Sequence, residues 1–173
     1  MDLTAKIRDI PDFPKEGIVF KDIMPLLEDG EAFRQAVDDL ADAFADTKPD
    51  VVLGAEARGF IFGGALAYRL GCGFVAVRKP GKLPHKVRTV TYELEYGTDS
   101  LCVHEDALRP GMRVLVIDDL LATGGTVESV VKLVREARAE VVGCGFLIEL
   151  GFLKGREKLP GLNIRSLILY DEE

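Results

Sequence analysis

Apolar positions change their spacing several times along the chain, and each change marks an element. Leu3, Ile7 and Ile10 fall on one helical face, and Pro11 ends that short helix. Pro11, Pro14 and Pro25 then keep residues 11–25 extended or turning. Ile18, Val19, Phe20, Ile23 and Met24 are too apolar for a solvated linker, so this arm should lie against the body. Ala32, Phe33, Ala36, Val37, Leu40 and Phe44 recur with a period of about 3.6 and predict an amphipathic helix that stops before Lys48-Pro49. From Asp50 onward the pattern alternates. Strands are expected at 51–54, 74–77, 113–118, 141–148 and 167–170, with helices at 60–70 and 126–137. Such alternation predicts an α/β fold with a parallel sheet. Between Val77 and Arg113 it lapses: after a basic stretch, Val90, Tyr92, Leu94 and Tyr96 alternate, and Gly97-Thr98-Asp99 turns the chain toward Leu101 and Val103. That is the pattern of an inserted β-hairpin.

The 173 residues fit one domain with a sizeable core, and no internal repeat divides them. With 22 basic and 29 acidic residues, a net charge of −7, the whole molecule repels nucleic acid and anionic membranes, so any anion site must be local. The longest apolar run, 141–148, ends at Glu149 and falls well short of the roughly 20 residues of a membrane span. Residues 1–8 alternate charge with apolar side chains and lack the apolar core of a secretory signal, so a cytoplasmic protein is expected. Three widely spaced cysteines form no CxxC pair, and only two histidines, His85 and His104, are available. Structural zinc and a Cys-His nucleophile are therefore disfavoured, which leaves chemistry to carboxylates and backbone.

In open α/β sheets, ligands sit beyond the carboxyl ends of the strands. The strongest candidate is the segment 114–126, where an apolar strand ends in Asp118-Asp119 and leads through Ala122, Thr123, Gly124, Gly125 and Thr126 into a helix. Glycines free backbone N–H groups, threonines add donors and a helix start adds positive potential, a combination suited to a phosphate monoester. The two carboxylates would repel phosphate but suit hydroxyls or a hydrated magnesium ion, so together the segment suggests a ribose 5-phosphate. Ordinary capping by Thr123 or Thr126 is the alternative. No Gly-Lys-Ser or Gly-Lys-Thr occurs, and Gly71-Cys72-Gly73 and Gly143-Cys144-Gly145 do not open helices, which excludes a standard P-loop and a dinucleotide fingerprint. In Glu56-Ala57-Arg58-Gly59, Arg58 can fork onto phosphate oxygens, or merely cap a surface loop. Residues 78–88 hold five bases (Arg78, Lys79, Lys82, Lys86, Arg88) and no acid, the pattern of a lid over a polyphosphate or of a solvated loop. Glu93 and Glu95 share one strand face, which solvent exposure alone would explain.

Residues 114–126 resemble the motif with which type I phosphoribosyltransferases bind 5-phosphoribosyl 1-pyrophosphate (PRPP). Phe13-Pro14, Gly17-Ile18-Val19-Phe20-Lys21-Asp22-Ile23, Glu56-Ala57-Arg58-Gly59-Phe60, Arg78-Lys79-Pro80-Gly81-Lys82-Leu83-Pro84 and Leu94-Glu95-Tyr96-Gly97 are similar to the adenine-specific members, although Lys21 stands where many carry Arg. The resemblance spans nearly the whole chain. It implies a type I phosphoribosyltransferase-like parallel sheet flanked by helices, in one domain of residues 1–173, with a base-binding arm at 11–25 and a lid and hairpin at 78–104. It further implies a magnesium-dependent transfer of phosphoribose from PRPP to adenine, yielding AMP and pyrophosphate in purine salvage, by a homodimer. In that frame Ala122, Thr123, Gly124, Gly125 and Thr126 hold the 5-phosphate. Glu56, Ala57, Arg58, Gly59, Arg78, Lys79 and Lys82 hold pyrophosphate. Val19, Phe20, Lys21 and Leu150 surround adenine, while Glu95, Asp118, Asp119 and Arg58 carry catalysis, with magnesium on PRPP and water-bridged to the aspartates. Rival readings are a transferase for another purine and a PRPP-sensing regulator. The acidic charge and the lack of an appended basic domain weigh against the regulator. A phospho-acceptor domain would need the acidic pair but not Thr-Gly-Gly-Thr.

Overall fold

The computed structural model describes residues 1–93 and 96–173. Five strands, β3 (Val51–Ala55), β4 (Gly73–Val77), β7 (Arg113–Leu121), β8 (Glu140–Leu150) and β9 (Ile164–Tyr170), form one sheet in the order β4-β3-β7-β8-β9, and every pairing in it is parallel. Central β7 shows why its sequence reads as a continuous apolar run. Val114 and Val116 enter one core cluster and Leu115 and Ile117 the other, so both faces are buried. On one face lie α2 (Gly30–Phe44) and α3 (Arg58–Leu70), contributing Leu40, Phe44, Phe62 and Leu66. The opposite face is covered by α4 (Gly125–Glu136) and by the hairpin β5 (Val87–Glu93) and β6 (Thr98–His104), through Val130, Leu133, Val90 and Leu101. The helix expected from the period of residues 32–44 is α2, opened by Asp29, whose carboxylate accepts the N–H groups of Glu31 and Ala32 at 3.0 and 3.1 Å.

Three sequence expectations are corrected. Leu3, Ile7 and Ile10 do not share a helix: a 3₁₀ turn covers Leu3–Lys6, and β1 (Arg8–Pro11) then pairs antiparallel with β2 (Val19–Asp22), placing Ile10 opposite Phe20. A partner strand and two cross-strand ion pairs, Arg8 with Asp22 and Lys21 with Asp9, favour extension over a second helical turn. The arm stops being extended at Met24, because Met24–Glu28 is a helix (α1) that accommodates Pro25 in its first turn. The hairpin starts at Val87, earlier than its apolar alternation implies, and takes Val87 and Arg88 out of the basic loop.

Gly143-Cys144-Gly145 has a packing cause. A Cβ on Gly143 would lie 2.5 Å from the Phe44 ring, and one on Gly145 would lie 2.7 Å from both Phe44 and Ile117. The α2 aromatic thus rests directly on β8, and the glycines clear its path. Gly145→Ala is expected to destabilise the fold by about 1–3 kcal/mol through overpacking, measured as a lowered urea midpoint with unchanged slope. A midpoint equal to the wild type would show that Phe44 can move aside freely.

Candidate active site

Two loops meet at the carboxyl ends of β3 and β7. β7 runs on to Leu121, past the expected end at Asp118, so the acidic pair lies within extended backbone. Asp119 is not an exposed strand-end carboxylate: it is 6% exposed and accepts a hydrogen bond from Arg58 Nε at 2.6 Å. Asp118 is half-buried, with Oδ1 accepting the Asp119 N–H at 2.8 Å. Burial, reinforced by the neighbouring Asp119 carboxylate, pushes the Asp118 carboxyl well above the usual carboxylate range. Arg58 opens α3, two residues earlier than expected, and its guanidinium stands 5.9 Å from the Phe20 ring centroid. The closeness of these parts depends on glycine. A Cβ on Gly59 would lie 3.0 Å from Asp118 Oδ1, and one on Gly54 only 2.6 Å from the Gly59 carbonyl oxygen.

After Leu121 the chain turns at Gly124 (φ 87°), and α4 begins at Gly125 with no side chain capping it. Neither Thr123 nor Thr126 serves as the cap, so ordinary capping does not account for the sequence, and the first N–H groups face a small cavity of about 90 Å³ bounded by Asp118 and residues 120–127. Lys158 brings its amine to 4.0 Å from the position of a Cβ on Gly125. A larger cavity, about 920 Å³, runs between β5, the flank of α4 and residues 157–162, and none of the expected site residues lines it.

Residues 26–160 match the model of the phosphoribosyl transferase domain family. The chain is 59% identical to an adenine phosphoribosyltransferase of Solidesulfovibrio magneticus over 168 residues, 97% of this chain and 98% of that one. The crystal structure of an adenine phosphoribosyltransferase from Thermoanaerobacter pseudethanolicus superposes with a TM-score of 0.94 at 54% identity, covering 98% of both chains. That of the Saccharomyces cerevisiae enzyme, complexed with an imino-altritol bisphosphate and adenine, gives 0.90 at 40% identity over 96% of each chain. The chain belongs to the adenine phosphoribosyltransferase family.

The surroundings of Lys21 show what its side chain does. Its side chain is buried and donates to Asp9 Oδ1 at 2.8 Å, with Nζ 4.2 Å from the Tyr170 ring centroid. It therefore fastens the arm to β9, where Tyr170 is in register with Leu150 at the end of β8. Phe20, on the same arm, meets the Phe13 ring edge-on at 5.1 Å.

The basic stretch is less free than its composition implies. Lys79 pairs with Asp99 on β6, and its N–H donates to Glu56 Oε1 at 2.7 Å. Arg78 Nε comes within 3.3 Å of the same Glu56 oxygen but is buried without an aligned hydrogen bond. No ion pair to Lys82, Lys86 or Arg88 occurs among the described residues. Glu95 lies outside the described residues. Sequence reasoning missed Glu149 as a member of the site's framework. It is buried, and held by Arg156 and Ser166. The one available signal was a carboxylate closing an apolar run in a two-face-buried strand.

A carboxyl raised by burial contributes stability in full below its unfolded-state pKa and loses that contribution as pH rises through the raised folded value. Asp118→Asn is therefore expected to raise the melting temperature at neutral pH, with the gain shrinking to nothing in acid, while turnover falls. A gain that grows as pH is lowered would contradict the assignment of Asp118 as the strained carboxylate.

Proposed function

We propose that this enzyme transfers the 5-phosphoribosyl group of PRPP to adenine, releasing pyrophosphate and forming AMP, as purine salvage requires. The observation that supports it most is the Arg58–Asp119 pair, which stands beside Phe20 on the base side and next to the Thr-Gly-Gly-Thr turn on the sugar-phosphate side. Tied through Nε to Asp119, Arg58 keeps both Nη groups for pyrophosphate oxygens. Charge separates as the C–O bond to pyrophosphate breaks and the sugar becomes oxocarbenium-like, so the residues act by holding charge in place. Arg58 with Glu56, Ala57, Gly59, Arg78, Lys79 and Lys82 receives the leaving group. Asp118 and Asp119 align the ribose hydroxyls, and residues 122–126 anchor the 5-phosphate so that binding energy orients the reacting carbon. Val19, Phe20 and Lys21 face one side of adenine and Leu150 the other, while Glu95 orients the ring or takes its proton. Closure of the 78–104 lid excludes the water that would hydrolyse the activated sugar.

Magnesium belongs to this reading as a companion of PRPP. Among the described residues no three His, Cys, Asp or Glu side chains gather as a metal-ligand set. Two adjacent carboxylates, one engaged by Arg58, suit a hydrated ion held mainly by substrate oxygens, with Asp118 and Asp119 reaching it through water. There it would neutralise charge on the departing pyrophosphate. The enzyme works as a homodimer, whose partner face is the apolar side of α3 and β4, where Ile61, Tyr68 and Phe74 are exposed. Free cysteines at 72, 102 and 144 fit a reducing compartment, the cytoplasm.

An extended arm presents alternating N–H and C=O groups, which match the acceptor and amino donor of adenine, whereas hypoxanthine and guanine reverse both. Two unsatisfied groups at about 1–3 kcal/mol each imply a preference for adenine of at least about thirtyfold in kcat/KM. Release of pyrophosphate, measured with each base in turn, tests this. A ratio within tenfold, or a switch of base in Lys21→Ala, would remove backbone reading by the arm. Turnover should also be almost lost in the Asp118→Asn, Asp119→Asn double variant, and wild-type rates there would overturn the site.

A further inference from the structure

Glu149 takes no part in the reaction outlined above, yet its buried carboxylate is held by three donors. Arg156 spans it, with Nε 2.6 Å from Oε1 and Nη2 2.9 Å from Oε2, and Ser166 Oγ donates to Oε2 at 2.6 Å. Burial by itself would raise this carboxyl, but the bonds from Arg156 and Ser166 outweigh it and hold it below its ordinary value. Glu149 and Ser166 lie on adjacent paired strands, so the anchor belongs to the rigid sheet. Arg156 does not. It sits in the short turn Gly155–Lys158, beside Gly155.

Gly155 has no positive φ, so its backbone conformation is open to any residue. What excludes a side chain is the phosphate loop itself. A Cβ on Gly155 would lie 2.5 Å from the Ala122 carbonyl oxygen, and a Cβ on Gly124 would lie 2.6 Å from the Gly155 carbonyl oxygen. The two backbones touch with no side chain between them. We propose that the Gly155–Arg156 turn, clamped to the sheet by Glu149 and Ser166, is a positioning element that sets the shape of the 122–126 loop for a phosphate monoester. The proposal rests on the reading of that loop as the 5-phosphate site. Because the contact is backbone on backbone, a shift of the turn passes undamped into the loop whose N–H groups must converge on the phosphate.

Gly155→Ala and Arg156→Gln, made in the full chain, test it. Each is expected to raise KM for PRPP and the dissociation constant of ribose 5-phosphate by about tenfold or more, with KM for adenine changed by no more than about threefold. Arg156→Lys, able to keep one of the two bonds to Glu149, should fall between wild type and Arg156→Gln. Equal loss in both KM values, or ribose 5-phosphate binding unchanged in a folded Gly155→Ala protein, would overturn the proposal. If Gly155→Ala does not fold, Arg156→Gln decides, since that side chain is half exposed and a glutamine amide can still donate to Glu149. A wild-type enzyme indifferent to PRPP would overturn the functional reading instead, and ribose 5-phosphate binding would still report on the turn.

Discussion

Burial of β7 on both faces is the constraint from which the rest of the molecule follows. A strand sealed on two sides can expose chemistry only at its end, and in a parallel sheet that end faces the same direction as its neighbours'. The loop after β3 that carries Arg58, the basic stretch after β4, the acidic pair and Thr-Gly-Gly-Thr turn of β7 and the Glu149 end of β8 are therefore neighbours by topology. Helix α4 adds its uncapped amides to this rim, and α3 adds Arg58.

An acidic protein that must bind a highly charged anion faces a local problem, and the structure handles it with internal pairs. Arg58 rests on Asp119, Lys79 on Asp99, and Arg78 leans toward Glu56. Each pair holds a cation at the rim beside a carboxylate. These pairs are partly exposed, so their own contribution to stability is small. Their effect is on where the cations stand.

Much of this was legible beforehand because it is local. The period of residues 32–44, the apolar run of β7 and the Thr-Gly-Gly-Thr turn each fix their element within a dozen residues, and the site loops follow from strand ends alone. What escaped depends on partners far apart in sequence. Ile10 is a strand residue only because Val19–Asp22 lies alongside, and the pairing of Lys79 needs the hairpin to return Asp99. The Gly143-Cys144-Gly145 pattern stayed mute because its cause, Phe44, lies about a hundred residues earlier. Glu149 and Arg156 are close in sequence, but the third member of their anchor, Ser166, comes from β9.

The glycine contacts at Gly54 with Gly59 and at Gly124 with Gly155 have a consequence for how such an enzyme can diverge. Where main chain rests on main chain there is no side chain to trim, enlarge or re-aim, so the loops after β3 and β7 resist gradual change. The strand carrying Phe20 and Lys21 pairs with β1, but its hold on β9 runs through a side chain, Lys21 against Tyr170. Divergence therefore has more room in the side-chain contacts around the arm than in the backbone-packed loops beside it.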